Sequence, residues 1–237
     1  MATIVEDIKN ILEFYQALGI ERLPIKLKGY NEKCSASKNR LSSKRHLSTA
    51  DKIAALKALR EEIGDCKRCR LSHNRTHIVF GEGNPDTGLM FIGEAPGREE
   101  DLQARPFVGD AGMVLTRLIE KMGLKREDVY IANIMKCRPP MNRNPEVDEI
   151  AKCRAFVERQ IEIIQPEVIM SLGRISASIL IGNAKLKITA IRGKFFDYKG
   201  ISLMPTFHPA YLIRNPKDKW LTWDDAQKVL EKLKSKG

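Results

Sequence analysis

The chain has 237 residues, 43% of them hydrophobic and 30% charged, which suits one α/β core of about 190 residues with an accessory segment. A formal net charge of +11 and a sequence pI near 9.5 point to a polyanionic partner, nucleic acid first, with a lysine-rich surface kept for solubility as the plainer alternative. No apolar run approaches the ~20 residues of a membrane span. Glu6 and Asp7 do not fit a secretory signal, so a cytoplasmic monomer is expected, and its five cysteines are not expected to pair as disulfides.

In chain order, Ile4, Ile8, Ile11, Leu12, Tyr15 and Leu18 recur at helical spacing and predict an amphipathic helix over 3–18. Residues 22–47 hold eight Lys or Arg against one acid and read as a basic linker. Residues 1–48 thus form an accessory segment. Its helix is expected to dock on the core or to bind a partner protein as a helix in a groove. The main domain is placed at 49–237, opening with a helix over 50–63 capped by Ser48 or Thr49. Strands follow at 88–93, 129–133, 168–172 and 201–206, with helices predicted over 109–123, 145–164, 173–181 and 224–234. This alternation predicts a three-layer α/β/α sandwich around a mainly parallel four-stranded sheet. Ligands of such sheets bind at the carboxyl ends of the strands.

Three strand ends carry unusual residues. The first is Gly93-Glu-Ala-Pro-Gly97, followed by three acids, Glu99, Glu100 and Asp101, and then by Arg105-Pro-Phe-Val-Gly109. Glycine and proline after a strand let backbone approach a ligand closely. The second is Asn133, with Asn142 and Asn144 downstream; a buried amide has to be satisfied, and it can read a base edge. The third is His208-Pro-Ala-Tyr-Leu-Ile-Arg214, where Pro209 fits the first turn of a helix and leaves His208 at the corner. Cys66-Lys-Arg-Cys69, Cys137 and Cys153 supply four thiols that can hold either a zinc ion or an iron–sulfur cluster. Lys67, Arg68, Arg70, Lys136, Arg138 and Arg143 crowd these segments and are candidate phosphate contacts. Cys34 reads as an ordinary free thiol.

GEAPG, RPFVG, the Asn133 strand followed by KCRPP, and HPAYLIR resemble, in this order and spacing, the family 4 uracil-DNA glycosylases. The similarity covers roughly residues 50–230 and leaves the first 48 outside. It implies a [4Fe–4S] cluster on Cys66, Cys69, Cys137 and Cys153. It also implies a DNA repair enzyme that flips uracil from single- or double-stranded DNA and hydrolyses its N-glycosidic bond. A partner of the 3–18 helix is then expected to be a repair or replication protein.

Phe107 would then stack on the base, Asn133 read its edge, and the backbone near Gly93, Glu94 and Ala95 bond its carbonyls. The departing uracil gathers negative charge, which a His208 N–H can stabilise. Glu100 with Asn142 is the first choice for holding water, Glu94 the second. Ala95 stands where a better-known branch of the superfamily has an acid. Tyr211 or Leu212 would fill the vacated stack, with Arg214, Arg138 and Arg143 on phosphates. No lysine motif for Schiff-base chemistry is found, so a monofunctional enzyme is expected. Two rival readings are a DNA- or RNA-binding module with a zinc or iron–sulfur clamp, and a glycosylase for another deaminated base.

Overall fold

The computed structural model describes residues 47–235. The helix predicted over 3–18, Cys34 and nearly all of the basic segment lie outside the described residues. The first described helix, α1 (Thr49–Ile63), has its cap at Ser48: the Asp51 N–H donates to Ser48 Oγ at 3.2 Å, and the Ser48 N–H donates back to Asp51 at 3.3 Å.

The sheet has six strands in the order β1-β3-β2-β4-β6-β5. Its centre is the expected parallel set: β2 (Leu89–Gly93), β3 (Tyr130–Asn133), β4 (Val168–Leu172) and β6 (Ile201–Thr206). Two short strands extend the expected four. β1 (Glu82–Gly83) and β5 (Phe196–Tyr198) pair antiparallel at the two edges. Strands of two and three residues carry too little alternation to be read from a pattern. The β5–β6 hairpin turns through Lys199 and Gly200, both with positive φ, as a tight two-residue turn requires.

Alternate side chains of β2 enter two cores. Met90 and Ile92 pack with α1, with α4 (Val147–Ile164) and with Leu180 of α5 (Arg174–Ile181). Leu89 and Phe91 pack with α3 (Asp110–Lys121) and α8 (Lys219–Lys234). Each face of the sheet is therefore covered, which makes the molecule a three-layer α/β/α sandwich. Burying a Leu, Ile or Phe contributes about 1.5–3 kcal/mol, so strands buried on both faces anchor the strand ends firmly.

The remaining helices are α2 (Arg98–Gln103), α6 (Ile188–Ile191) and α7 (Pro209–Arg214). Two helix starts differ from expectation by more than one residue. α4 begins at Val147, two residues after Pro145, because the Glu146 N–H is satisfied by the Glu149 carboxylate at 2.8 Å. α8 begins at Lys219, five residues early. Asp224 and Asp225 suggest a helix start, yet the Asp225 carboxylate is buried inside the helix and accepts from Thr206 Oγ1 at 2.6 Å and Arg192 Nε at 3.0 Å. No helix of the described residues is long and apolar enough to cross a membrane.

Candidate active site

A cavity of about 380 Å³ opens at the carboxyl ends of β2, β3 and β6, lined by Glu94, Ala95, Glu100, Phe107, Asn133, Asn142, His208 and Arg214. The parallel topology brings the three strand-end motifs to one mouth.

Gly93 and Asn133 face each other in the β2–β3 register. A Cβ at Gly93 would lie 2.3 Å from Asn133 Oδ1 and 2.4 Å from Phe107 Cζ. Only glycine leaves room for amide and ring to meet there. Asn133 is 2% exposed, and its Oδ1 has no hydrogen-bond partner among the described residues. An unpaired buried acceptor costs about 1–3 kcal/mol, so a native fold keeps one mainly where a ligand will pair with it.

Phe107 is buried at φ 51°, a left-handed conformation that a bulky residue holds only under constraint. Two features impose it. Gly112 of α3 sits against the Phe107 carbonyl, where a Cβ would come within 1.9 Å of the oxygen. The Glu100 carboxylate accepts from the N–H groups of Gly97, Val108 and Gly109, each at 3.0 Å. Glu100 thus ties the GEAPG turn to the RPFVG loop while still lining the cavity. The acids that follow the turn are in part structural. Glu100 caps α2, and the buried Asp101 accepts from the N–H groups of Thr76 and His77 at 2.9 and 3.2 Å.

His208 caps α7, and its Nδ1 accepts from the Ala210 N–H at 3.1 Å. That bond leaves the proton on Nε2. Burial pushes the imidazole down to about 4, the Glu100 charge opposing and Arg214 adding to the shift, so the ring is neutral at physiological pH. Its ring centroid lies 5.8 Å from that of Phe107. Burial also raises the Glu94 carboxyl to about 7, against the pull of Arg174.

Asn142 sits on the 140–142 turn at φ 54°, with Oδ1 accepting from Arg138 Nε at 2.8 Å. Arg143 lines the cavity but spends its fork on Glu149, at 2.9 and 2.6 Å. Arg214 is exposed at the rim. Two expected DNA contacts face elsewhere. Leu212 is 3% exposed and packs into the core beneath α7, and Tyr211 donates its hydroxyl to Asp218 at 2.6 Å while stacking on Phe207. Lys136 is also inside: its Nζ donates to the Asn133 carbonyl at 2.8 Å and to Gln160 at 2.6 Å, out of reach of any phosphate.

Sequence reasoning passed over Gly173 and Arg174 at the end of β4. Gly173, at φ 93°, leaves a hypothetical Cβ 3.0 Å from that of His208, so the histidine packs directly on the chain there. A glycine directly after the third central strand, as at Gly93, was the available signal.

Cys66, Cys69, Cys137 and Cys153 are free thiols lining one small cavity walled by Ile63, Ile78 and Phe156. Burial pushes the Cys137 thiol up to about 11 and that of Cys153 up to about 12. The Lys136 N–H donates to Cys153 Sγ at 3.2 Å, and Arg75 and Arg68 donate to Cys137 and Cys66, each at 3.5 Å. Such donors suit bound thiolates. Among the described residues no three Cys, His, Asp or Glu side chains are placed to hold a single ion.

Residues 80–234 match the family model described as the uracil DNA glycosylase superfamily, and the chain belongs to that superfamily. A Type-4 uracil-DNA glycosylase from Thermotoga maritima is 47% identical over 180 residues, 75% of this chain and 94% of the relative. One from Saccharolobus solfataricus is 47% identical over 189 residues, 76% and 88% of the two chains. A Type-5 enzyme from Pyrobaculum aerophilum is 25% identical over 146 residues, 55% and 64%. Within the superfamily the chain therefore stands with the type-4 members.

Proposed function

We propose that this protein binds uracil-containing DNA, single- or double-stranded, turns the uracil into the strand-end cavity and hydrolyses its N-glycosidic bond, leaving an abasic site. The observation that carries this reading is the orphaned Asn133 Oδ1 beside Gly93 and Phe107. Uracil N3–H donates to that oxygen while the amide NH₂ donates to uracil O4. Cytosine presents the reverse pattern and leaves both groups mispaired, a discrimination of roughly 1–3 kcal/mol per contact. Phe107 stacks on the base, and the backbone of Glu94 and Ala95 approaches its carbonyls.

As the bond breaks, charge builds on the uracil. The neutral His208, with its proton on Nε2, donates to uracil O2 without giving up that proton. Glu100, fixed by three N–H groups, places a negative charge in the cavity wall, where it stabilises the cationic sugar and orients water. Asn142, its oxygen held by Arg138, turns its NH₂ to the same water. Glu94, half protonated near neutral pH, is the weaker anion. Among the described residues no lysine lines the cavity, and the reaction is read as hydrolysis without a lyase step. Arg214 and Arg138 contact phosphates.

The four cysteines fit a [4Fe–4S] cluster: they share one cavity, and three sulfurs receive N–H donors. When bound, the cluster cross-links the 66–69 segment, the 137 loop and α4. Zinc is the alternative.

The test is release of free uracil from labelled duplex and single-stranded oligonucleotides, with hypoxanthine and xanthine substrates alongside, by protein of measured iron, sulfide and zinc content. Uracil strands left intact by metal-loaded protein would overturn the reading.

A further inference from the structure

The turn at 139–143 follows Cys137 and supplies Pro139, Asn142 and Arg143 to the cavity wall. Met141, at its tip, does not line the cavity. Its side chain is 92% exposed, more than any other large apolar side chain among the described residues. Met141 and Asn142 are successive non-glycine residues at φ 54°, a conformation that L-residues adopt only when their surroundings enforce it.

Here the enforcement is visible. The Asn142 and Arg143 N–H groups donate to the carbonyls of Pro139 and Pro140, both at 3.1 Å. Arg138 grips the Asn142 oxygen, and Arg143 forks onto the buried Glu149. The backbone on either side is tied down, and the Met141 side chain faces water beside the exposed Pro140 and Asn142. No core packing explains an apolar side chain so placed. A strained, well-braced turn that offers a thioether beside a cavity mouth suits insertion between stacked bases, since methionine is apolar and flexible enough to fill an irregular gap. On α7, Leu212 is buried, the Tyr211 hydroxyl is bound to Asp218, and Ile213 is 44% exposed, about half as much as Met141.

We infer that Met141 is the wedge that enters the base stack of double-stranded DNA at the position the extruded nucleotide leaves. The inference rests on the reading that the cavity takes a flipped uracil. A wedge matters only where there is a stack to hold open, so the assay compares one uracil-containing sequence as duplex and as single strand. Met141→Ala lowers kcat/KM on the duplex by about tenfold or more, because unstacking then goes uncompensated, and leaves the single strand within about twofold. Met141→Leu retains most duplex activity. Met141→Gly relieves the backbone while deleting the wedge, so its Tm stays at or above that of the parent as duplex activity falls. A 2-aminopurine next to the uracil brightens on binding the parent protein and not on binding Met141→Ala.

Equal losses on both substrates, or unchanged duplex activity in Met141→Ala, overturn the wedge. So does a duplex-only loss confined to Ile213→Ala, the partly exposed apolar side chain on α7. If the parent protein releases uracil from neither substrate, it is the reading of the cavity that fails; the 2-aminopurine signal, which needs no turnover, still reports on the wedge.

Discussion

Two clusters of buried polar groups flank the end of β6, two residues apart, and they are built on opposite rules. At Thr206 the polar groups are closed within the protein: Asp225 takes the Thr206 hydroxyl and the Arg192 guanidinium, and Arg192 also lies over the Phe207 ring. At His208 the groups are held in place but left open. The imidazole is oriented by a backbone N–H, and the amide oxygen of Asn133 across the cavity has no partner among the described residues. Burial alone therefore does not mark a functional site. What distinguishes the cavity is that the unpaired Asn133 oxygen and the His208 ring, fixed in position, face one open volume, so the free energy of pairing them is left to a ligand.

The sharpest way to break this comparison is to damage each cluster in turn. Asp225→Ala takes the acceptor from the buried Thr206 hydroxyl and the main partner from Arg192, which keeps the Leu221 carbonyl; this costs about 3 kcal/mol and lowers Tm by roughly 10 °C in a domain of this size, readable by calorimetry. An unchanged Tm would show that the network is not closed as described. Asn133→Asp should do the reverse. Thermal stability changes little, while uracil release falls on the order of 100-fold or the rejection of cytosine relaxes, because a carboxylate cannot donate to O4. Unchanged release with unchanged selectivity would remove Asn133 from base recognition.

The smallest effect is in pH. His208 has its value lowered from 6.5 to about 4, so the unfolded chain binds the extra proton first and stability falls as pH drops from about 6.5 towards 4. Glu94 has its value raised from 4.5 to about 7, so the stability present below about 4.5 is lost as pH rises through 7. In the parent chain the two slopes oppose each other between about pH 4.5 and 6.5. His208→Asn removes the first and Glu94→Gln the second, each by an amount on the order of 2 kcal/mol. Glu94→Gln should therefore be the more stable protein at pH 8 by chemical denaturation, and equal midpoints there would contradict an open, desolvated carboxyl.

The central sheet was legible because strands such as Met90-Phe-Ile and Val168-Ile-Met are continuous apolar runs closed by glycine or polar residues. The strand-end residues were legible because the parallel topology leaves them only one mouth to share. What escaped was pairing across sequence distance. Nothing in the local pattern says that Glu100 answers the amides of Val108 and Gly109, that Arg143 is spent on Glu149, or that Leu212 rather than Ile213 turns inward on a helix of six residues. The cysteines lie in between: their convergence on one cavity needed the fold, although their number already suggested a shared ligand.

The edge strands have a consequence beyond the site. β1 spans two residues and β5 three. A sheet that ends this way presents hardly any unpaired backbone ladder to another chain, and the exposed Lys199 at the β5 hairpin adds a charge beside that rim. An apolar, mostly parallel sheet thereby offers little edge for pairing with another copy of the chain.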